Sequence, residues 1–208
     1  MNKHFDISII LPVFNEGENI TKQIFALEKD LKNPHEILIV YDFNEDNTIP
    51  FAQKLCKKYK TVQLVKNIFG RGVINAVKTG IKNAKGEVVV IMPADLADDP
   101  NTINRMFEKI GRGYDIVCAT RYSKGGKKIG GEYLKTTLSR FAGLMTPLLL
   151  GIPTTDISNG FKIGEVPAIW RDRTRGKSKF KLLKWLPKYI RWYLYGILLR
   201  LNINRLVI

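Results

Sequence analysis

Residues 6–42 read "DISIILPVFNEGENITKQIFALEKDLKNPHEILIVYD", and this stretch decides the fold. "DISIILPVF" (6–14) and "EILIVY" (36–41) are apolar runs rich in Ile and Val, the pattern of buried strands. Between them, "EGENITKQIFALEKDLK" spaces Ile20, Ile24, Leu27 and Leu31 as one face of a helix. The stretch is one strand–helix–strand unit.

The pattern repeats outward. Helices are expected near 48–59, 71–84 and 100–110, and strands over 61–65, 87–92 and 115–120. This alternation predicts an α/β class with a mostly parallel sheet and helices on both faces. In such sheets ligands bind at the carboxyl ends of strands. Those ends carry "PVFNEGEN", "YDFNEDN", "PADLADD" and "RYSKGGKKIGG", groups a core strand does not need. The sharpest case is "VVVIMPADLADDP" (88–100), whose apolar run has the pattern of a buried strand leading directly into Asp95, Asp98 and Asp99.

After Gly131 the character changes. "LKTTLSRFAGLMTPLLL" (134–150) has the pattern of an amphipathic helix, and "GIPTTDISNGF" (151–161) that of a polar loop. The last stretch, "FKLLKWLPKYIRWYLYGILLRLNINRLVI" (180–208), interleaves Trp, Tyr and Leu with Lys and Arg. Arg191 and Arg200 leave its apolar run too short to span a bilayer. Aromatic rings and long cations suit helices lying in a membrane interface. A partner or dimer surface, or a plain core helix, would use the same residues.

At 208 residues, 45% hydrophobic and 25% charged, the chain is a folded protein rather than a disordered one. The net charge of +15 is concentrated late, with 12 Lys and Arg against Glu165 and Asp172 from residue 162 onward. Such a tail fits an anionic partner, whether nucleic acid, an acidic membrane or a phosphorylated substrate, or else a solvated face. Cys56 and Cys118 lie far apart and the only histidines are His4 and His35, which gives little support to a zinc site or disulfides. Buried thiols and an N-terminus without a signal-peptide pattern place the expected protein in the cytoplasm.

The parallel-sheet reading brings Asp42, Asp46, Asp95, Asp98 and Asp99 to the strand ends, with Arg71, Arg121, Lys124, Lys127 and Lys128 on neighbouring loops. Hard oxygen ligands suit Mg²⁺ or Mn²⁺, and magnesium takes few carboxylates when substrate phosphates complete its shell. The set therefore suits a nucleotide diphosphate. Asp98 and Asp99 equally suit the start of a helix before Pro100, where negative charge is favoured. "FGRGVINAVKTG" (69–80) has neither a P-loop nor a dinucleotide fingerprint, and its Gly-Arg-Gly reads as a close backbone approach with one cation, Arg71.

Eight segments then follow in order: "LPVFNEGENI" (11–20), "YDFNEDNT" (41–48), "NIFGRGVINAVKTGIKNAKGE" (67–87), "MPADLADDP" (92–100), "RYSKGGKKIGG" (121–131), "SRFAG" (139–143), "DISNGFK" (156–162) and "EVPAIWRDRTRGKSKF" (165–180). Together they resemble the family 2 glycosyltransferases of the GT-A fold, in the branch similar to dolichyl-phosphate mannose synthases and related polyprenyl-phosphate sugar transferases. The resemblance implies that Pro12, Asn15 and Glu16 form a nucleotide-contacting loop and that Asp42 reads the base. It makes Asp95 the second aspartate of a DxD metal motif, with Arg121 and Arg140 near phosphates. Asp156 matches the acceptor-side acid, and Arg173 and Lys179 match a basic acceptor segment.

Three departures stand out. Tyr41 replaces the first acid of a common pair, Pro93 occupies the first DxD position, and Ala97 sits where some synthases have a polar residue. Either Asp95 with Asp98 and the diphosphate suffices for the metal, or the site is weakened. The resemblance also implies a further strand and helix before "EVP", whereas here Lys162 runs directly into "IGEVPAIW". A natural shortening, a gene-model error or an engineered excision would each produce this apparent internal deletion.

The leading expectation is a metal-dependent inverting glycosyltransferase, with residues 1–180 as a GT-A domain shortened near 162–163 and 181–208 as a basic amphipathic membrane-interface tail. It would move a hexose from a UDP- or GDP-linked sugar to a polyprenyl phosphate, peripherally at the cytoplasmic membrane face. Asp95, Arg121 and Asp156 are the expected catalytic groups, Arg71 joins the nucleotide-sugar set, and Asp95 and Asp98 hold the metal. The acceptor phosphate falls to Arg121, Arg140, Arg173 and Lys179. The alternative is a catalytically impaired nucleotide-sugar or membrane-binding module, and self-association stays open. A nucleic-acid partner is disfavoured, because the clustered acids would repel phosphates.

Overall fold

The computed structural model describes residues 5–130, 164–171 and 182–203, together with the helical positions Thr137, Arg140, Phe141 and Met145. The chain divides into two compact units, residues 1–107 and 108–208.

The first unit alternates β1 (Ile7–Pro12), α1 (Asn19–Asp30), β2 (His35–Tyr41), α2 (Ile49–Lys58), β3 (Val62–Lys66), α3 (Val73–Asn83) and β4 (Val88–Ile91), and α4 (Asn101–Ile110) carries the chain onward. The strands form a parallel sheet in the order β3-β2-β1-β4, with Ile7 opposite both His35 and Val88. Strands one to three step outward on one side of β1, and β4 returns to its other side. Because such crossovers are right-handed, reversing the direction moves the connecting helix to the opposite face. That is why Ile20, Ile24 and Leu27 of α1, Leu55 of α2 and Ile103 of α4 pack with Ile7, Ile9 and Leu11, while Ala76 of α3 packs with Ile10, Leu38 and Val40.

Each large side chain buried here contributes about 1.5–3 kcal/mol. α3 lies so close to the sheet that a Cβ on Gly80 would meet Ile10 Cγ2 at 2.4 Å. At the amino ends of the strands, the fully buried Glu36 accepts bonds from Ser8 Oγ (2.6 Å), Lys85 N (2.6 Å) and Gln63 Nε2 (3.0 Å). Cys56 and Cys118 are free thiols, and burial pushes the Cys56 thiol up against weaker backbone hydrogen bonding.

The strands and helices of the first unit lie within about three residues of the segments read from the sequence, and β4 needs one correction. The strand before Asp95 was read as buried, but Val89 and Ile91 are 39% and 55% exposed, and Val90 alone is buried. β4 is the edge of the described sheet, and the α3 cluster covers β1 and β2 rather than β4.

In the second unit β5 (Val117–Thr120) pairs in parallel with β7 (Gly164–Pro167), and β6 (Lys127–Ile129) with β8 (Ile169–Arg171). Ala168 joins the pairs, its N–H bonding Thr120 O and its carbonyl accepting from Lys127 N. The short strand β6 lies inside the segment read as a loop. A 22-residue helix, α5 (Leu182–Ile203), falls in the expected tail and contains Pro187. No helix among the described residues is long and apolar enough to cross a membrane. The expected helix over 134–150, except the four positions named, and the join near 162–163 lie outside the described residues.

Candidate functional site

The strand order reverses between β1 and β4, and an open parallel sheet offers its ligand crevice at the carboxyl ends of the strands at such a point. Two non-glycine residues among those described have positive φ, Asn15 at 54° after β1 and Leu96 at 63° after β4. Backbone held in this region clusters at functional sites. Both therefore mark the ends of the strands that flank the reversal.

The turn after β1 is tied to the loop after β2. Asn15 N donates to Asp46 Oδ2 (3.0 Å), Glu16 N to Thr48 Oγ1 (3.0 Å), and Asn47 N to Asn15 Oδ1 (3.3 Å). The other oxygen of Asp46 accepts from Thr48 N at 2.8 Å. Asp46 is 2% exposed, so this acid, gathered with the metal carboxylates from sequence, is instead the brace of the Pro12–Glu16 turn. Both of its oxygens are thus taken up by backbone N–H donors of the two loops.

Asp42 is held from the other side. Asn67 Nδ2 donates to Asp42 Oδ1 (2.7 Å) and to Gly70 O (2.6 Å), and Gly72 N donates to Asp42 Oδ2 (2.8 Å). Asn67 Oδ1 accepts from Phe69 N (3.0 Å) and Thr79 Oγ1 (2.8 Å). Gly70 and Gly72 have φ of 86° and 124°, as expected of the Gly-Arg-Gly turn. Arg71 projects its guanidinium over Phe43 at 5.2 Å, and Phe43 meets the exposed Phe14 edge-on at 5.5 Å. Each carboxylate oxygen of Asp42 retains accepting capacity, so one residue can brace the loop and meet a base edge. Sequence reasoning missed Asn67. Its one signal was an amide directly after a strand, beside a glycine turn.

After β4, Met92 and Ala94 are buried, while Pro93 is exposed and offers no side-chain ligand. Asp95 Oδ1 accepts from Ala97 N (3.2 Å) across the Leu96 turn. Asp99 Oδ1 accepts from Asn101 N (3.0 Å) and its carbonyl from Thr102 N, so Asp99 caps α4. The helix-start reading thus holds for Asp99 and leaves Asp95 and Asp98, both half-exposed, as the metal candidates. Among the described residues no three His, Cys, Asp or Glu side chains form a metal-holding group. Two hard carboxylates fit a Mg²⁺ or Mn²⁺ ion that draws its other ligands from phosphate and water.

In the second unit, the Arg121 guanidinium lies over the rings of Tyr122 (5.1 Å) and Trp170 (5.3 Å). Arg140 is exposed. Asp156, Arg173 and Lys179 lie outside the described residues.

The family model for glycosyl transferase family 2 matches residues 8–172. A dolichol-phosphate mannosyltransferase of Pyrococcus furiosus is 29% identical over 228 aligned positions, covering 89% of this chain and 64% of its own. That alignment has more positions than the chain has residues, so the relative contains residues with no counterpart here. An uncharacterised glycosyltransferase of Synechocystis is 31% identical over 158 positions, covering 73% of this chain and 48% of its own. The chain thus spans about half to just under two thirds of the length of these relatives. Among solved structures, glucosyl-3-phosphoglycerate synthase of Mycobacterium tuberculosis, in complex with Mn²⁺, UDP-glucose and phosphoglyceric acid, superposes with a TM-score of 0.53. It is 19% identical, over 70% of this chain and 50% of that one, and it shares the expected GT-A fold. With the family match over most of its length and this fold beneath it, the chain belongs to glycosyl transferase family 2.

Proposed function

We propose that the chain transfers a hexose from a UDP- or GDP-linked sugar to a polyprenyl phosphate, with inversion at the anomeric carbon and with a divalent metal. The carrying observation is the braced set of loops after β1, β2 and β4, which offers Asn15, Asp42 and Asp95 at the reversal of a family 2 sheet. The Pyrococcus relative's name supports the acceptor class, and the Mn²⁺ and UDP-glucose of the mycobacterial structure support the donor class.

The Pro12–Glu16 turn, Asp42 and Arg71 hold the nucleotide in this reading, and Asp95 and Asp98 hold the metal. A divalent cation there supplies Lewis-acid stabilisation of charge on the leaving diphosphate. An acceptor phosphate oxygen attacks the anomeric carbon opposite the diphosphate, forming one C–O bond as the other breaks and releasing the nucleoside diphosphate. A phosphate monoester is already largely ionised at neutral pH, so no general base is required. A hydroxyl acceptor would instead ask Asp156 or Asp98 to take its proton. Arg121, Arg140, Arg173 and Lys179 are assigned to the acceptor phosphate.

The tail supports a peripheral position at the cytoplasmic membrane face. On α5, Tyr189, Trp192, Leu194 and Leu198 are exposed beside Arg191, a combination suited to an anionic interface.

The test uses purified protein in detergent with Mn²⁺ or Mg²⁺, radiolabelled UDP- and GDP-sugars and a polyprenyl phosphate. Metal-dependent label in the lipid phase, lost in Asp95→Ala, is expected. Metal-dependent nucleotide binding without transfer would replace this reading with the impaired module that Pro93 brings to mind.

A further inference from the structure

The first unit has a one-sided distribution of charge. Residues 47–86 contain nine Lys and Arg and no acid. These cations divide between the two faces of the sheet. Lys54 and Lys57 lie on α2, whose Ala52 and Leu55 pack in the cluster with α1, whereas Lys78 and Lys82 lie on α3, whose Ala76 packs on the other face with Ile10, Leu38 and Val40.

The two helices differ in what accompanies the lysines. α2 exposes no large apolar side chain, while α3 exposes Ile81, Val73 at 66% and Ile74 at 70%. Ala76, Thr79 and Gly80 turn inward, so Ile74, Lys78 and Ile81, spaced i, i+4 and i+7, share the outer stripe. The preceding loop lies along this helix: Ile68 N donates to Thr79 Oγ1 (3.2 Å), and Lys82 Nζ sits 5.7 Å from the Phe69 ring centroid. Ile68 and Phe69 are exposed as well and widen the stripe.

Apolar groups gathered in one exposed patch mark an interaction surface. The charges around them select the partner. Lysines without acids call for an anion, and they repel a second copy of the same face. A nucleic-acid backbone would use the lysines and leave the isoleucines in water. An anionic bilayer uses both, because cations hold the headgroups while apolar side chains enter the acyl boundary.

We infer that the outer face of α3, with the loop before it, docks on an anionic membrane surface. This deepens the peripheral-membrane reading, made above for α5, by adding a contact on the first unit, and it does not depend on transfer. The same loop carries Arg71, and its Gly72 N bonds Asp42, so docking there brings the nucleotide loops to the lipid surface.

The experiment measures sedimentation of the full chain with phosphatidylcholine vesicles, with and without phosphatidylglycerol. Lys78→Gln with Lys82→Gln should weaken binding to the anionic vesicles about tenfold or more, and Ile74→Gln with Ile81→Gln about as much. Lys54→Gln with Lys57→Gln, an equal charge change on α2, should stay within about threefold of wild type. Equal losses from the two lysine pairs would reduce the effect to net charge and overturn the docking face. Vesicle binding kept in full by the isoleucine pair also overturns it, and if that pair abolishes self-association of the wild type instead, the face belongs to a second copy. So does a Trp192→Glu variant that removes all binding by itself, since the tail would then act alone. All six substituted side chains are exposed, and the melting temperature checks that each variant folds. Should one α3 pair unfold, the other carries the same comparison with the α2 pair. A wild type that binds these vesicles without transferring sugar would sink the functional reading and leave this inference standing.

Discussion

Asp46 shows how little an acid's place in a motif says about its use. It stands four residues from Asp42 in "YDFNEDN", yet it is buried on two backbone N–H groups while Asp42 stays half-exposed. Asp46→Ala leaves both donors without their acceptor and should cost about 2–4 kcal/mol, measured by urea unfolding. Asn67→Ala should act differently, since it frees Asp42 and the Gly-Arg-Gly turn together. Its expected signature is a donor KM raised about tenfold with kcat changed less than threefold. At Leu96, whose φ of 63° disfavours a β-carbon, Leu96→Gly should relieve about 1 kcal/mol of strain and raise stability slightly while slowing transfer. Equal or lower stability would show that the turn is not strained. The acids themselves were legible in the sequence, because charged residues after apolar runs are conspicuous. Which of them braces the loops was not, because that depends on backbone donors from a loop about thirty residues away.

Among the elements, the strands and helices of the first unit were legible because their apolar spacing is strong, and the burial of β1, α1 and β2 repeats it. β6 was not legible, since "KKI" is three residues long and polar, and it exists only because β8 supplies a partner. The exposure of β4 was hidden for a related reason: "VVVI" reads the same at the edge of a sheet as in its centre. The contact between α3 and β1 makes a sharper test. Gly80→Ala forces a methyl into Ile10 and should destabilise by about 1–3 kcal/mol, whereas Gly80→Ala with Ile10→Ala, which removes the Cγ2 in the way, should cost less than the two single changes summed. A neutral Gly80→Ala in chemical denaturation would mean that α3 packs more loosely than described.

For the molecule as a whole, the order β3-β2-β1-β4 puts the strand reversal between β1 and β4, where an open parallel sheet offers its ligand crevice. The basic tail, from composition alone, left nucleic acid, membrane and phosphorylated substrate open, and the proposed function uses the last two together. If α5 lies on a membrane, replacing Trp192, which is 69% exposed, by Glu should reduce sedimentation with anionic vesicles several-fold and leave nucleotide binding intact. The most direct test of the central claim, that the loops after β1, β2 and β4 form a metal-assisted nucleotide site, is calorimetric titration of UDP and GDP into the protein with and without Mn²⁺. One nucleotide should bind with Mn²⁺, bind at least tenfold more weakly without it, and lose that difference in Asp95→Ala. Binding indifferent to both Mn²⁺ and Asp95→Ala, or no binding of either nucleotide, would contradict the account.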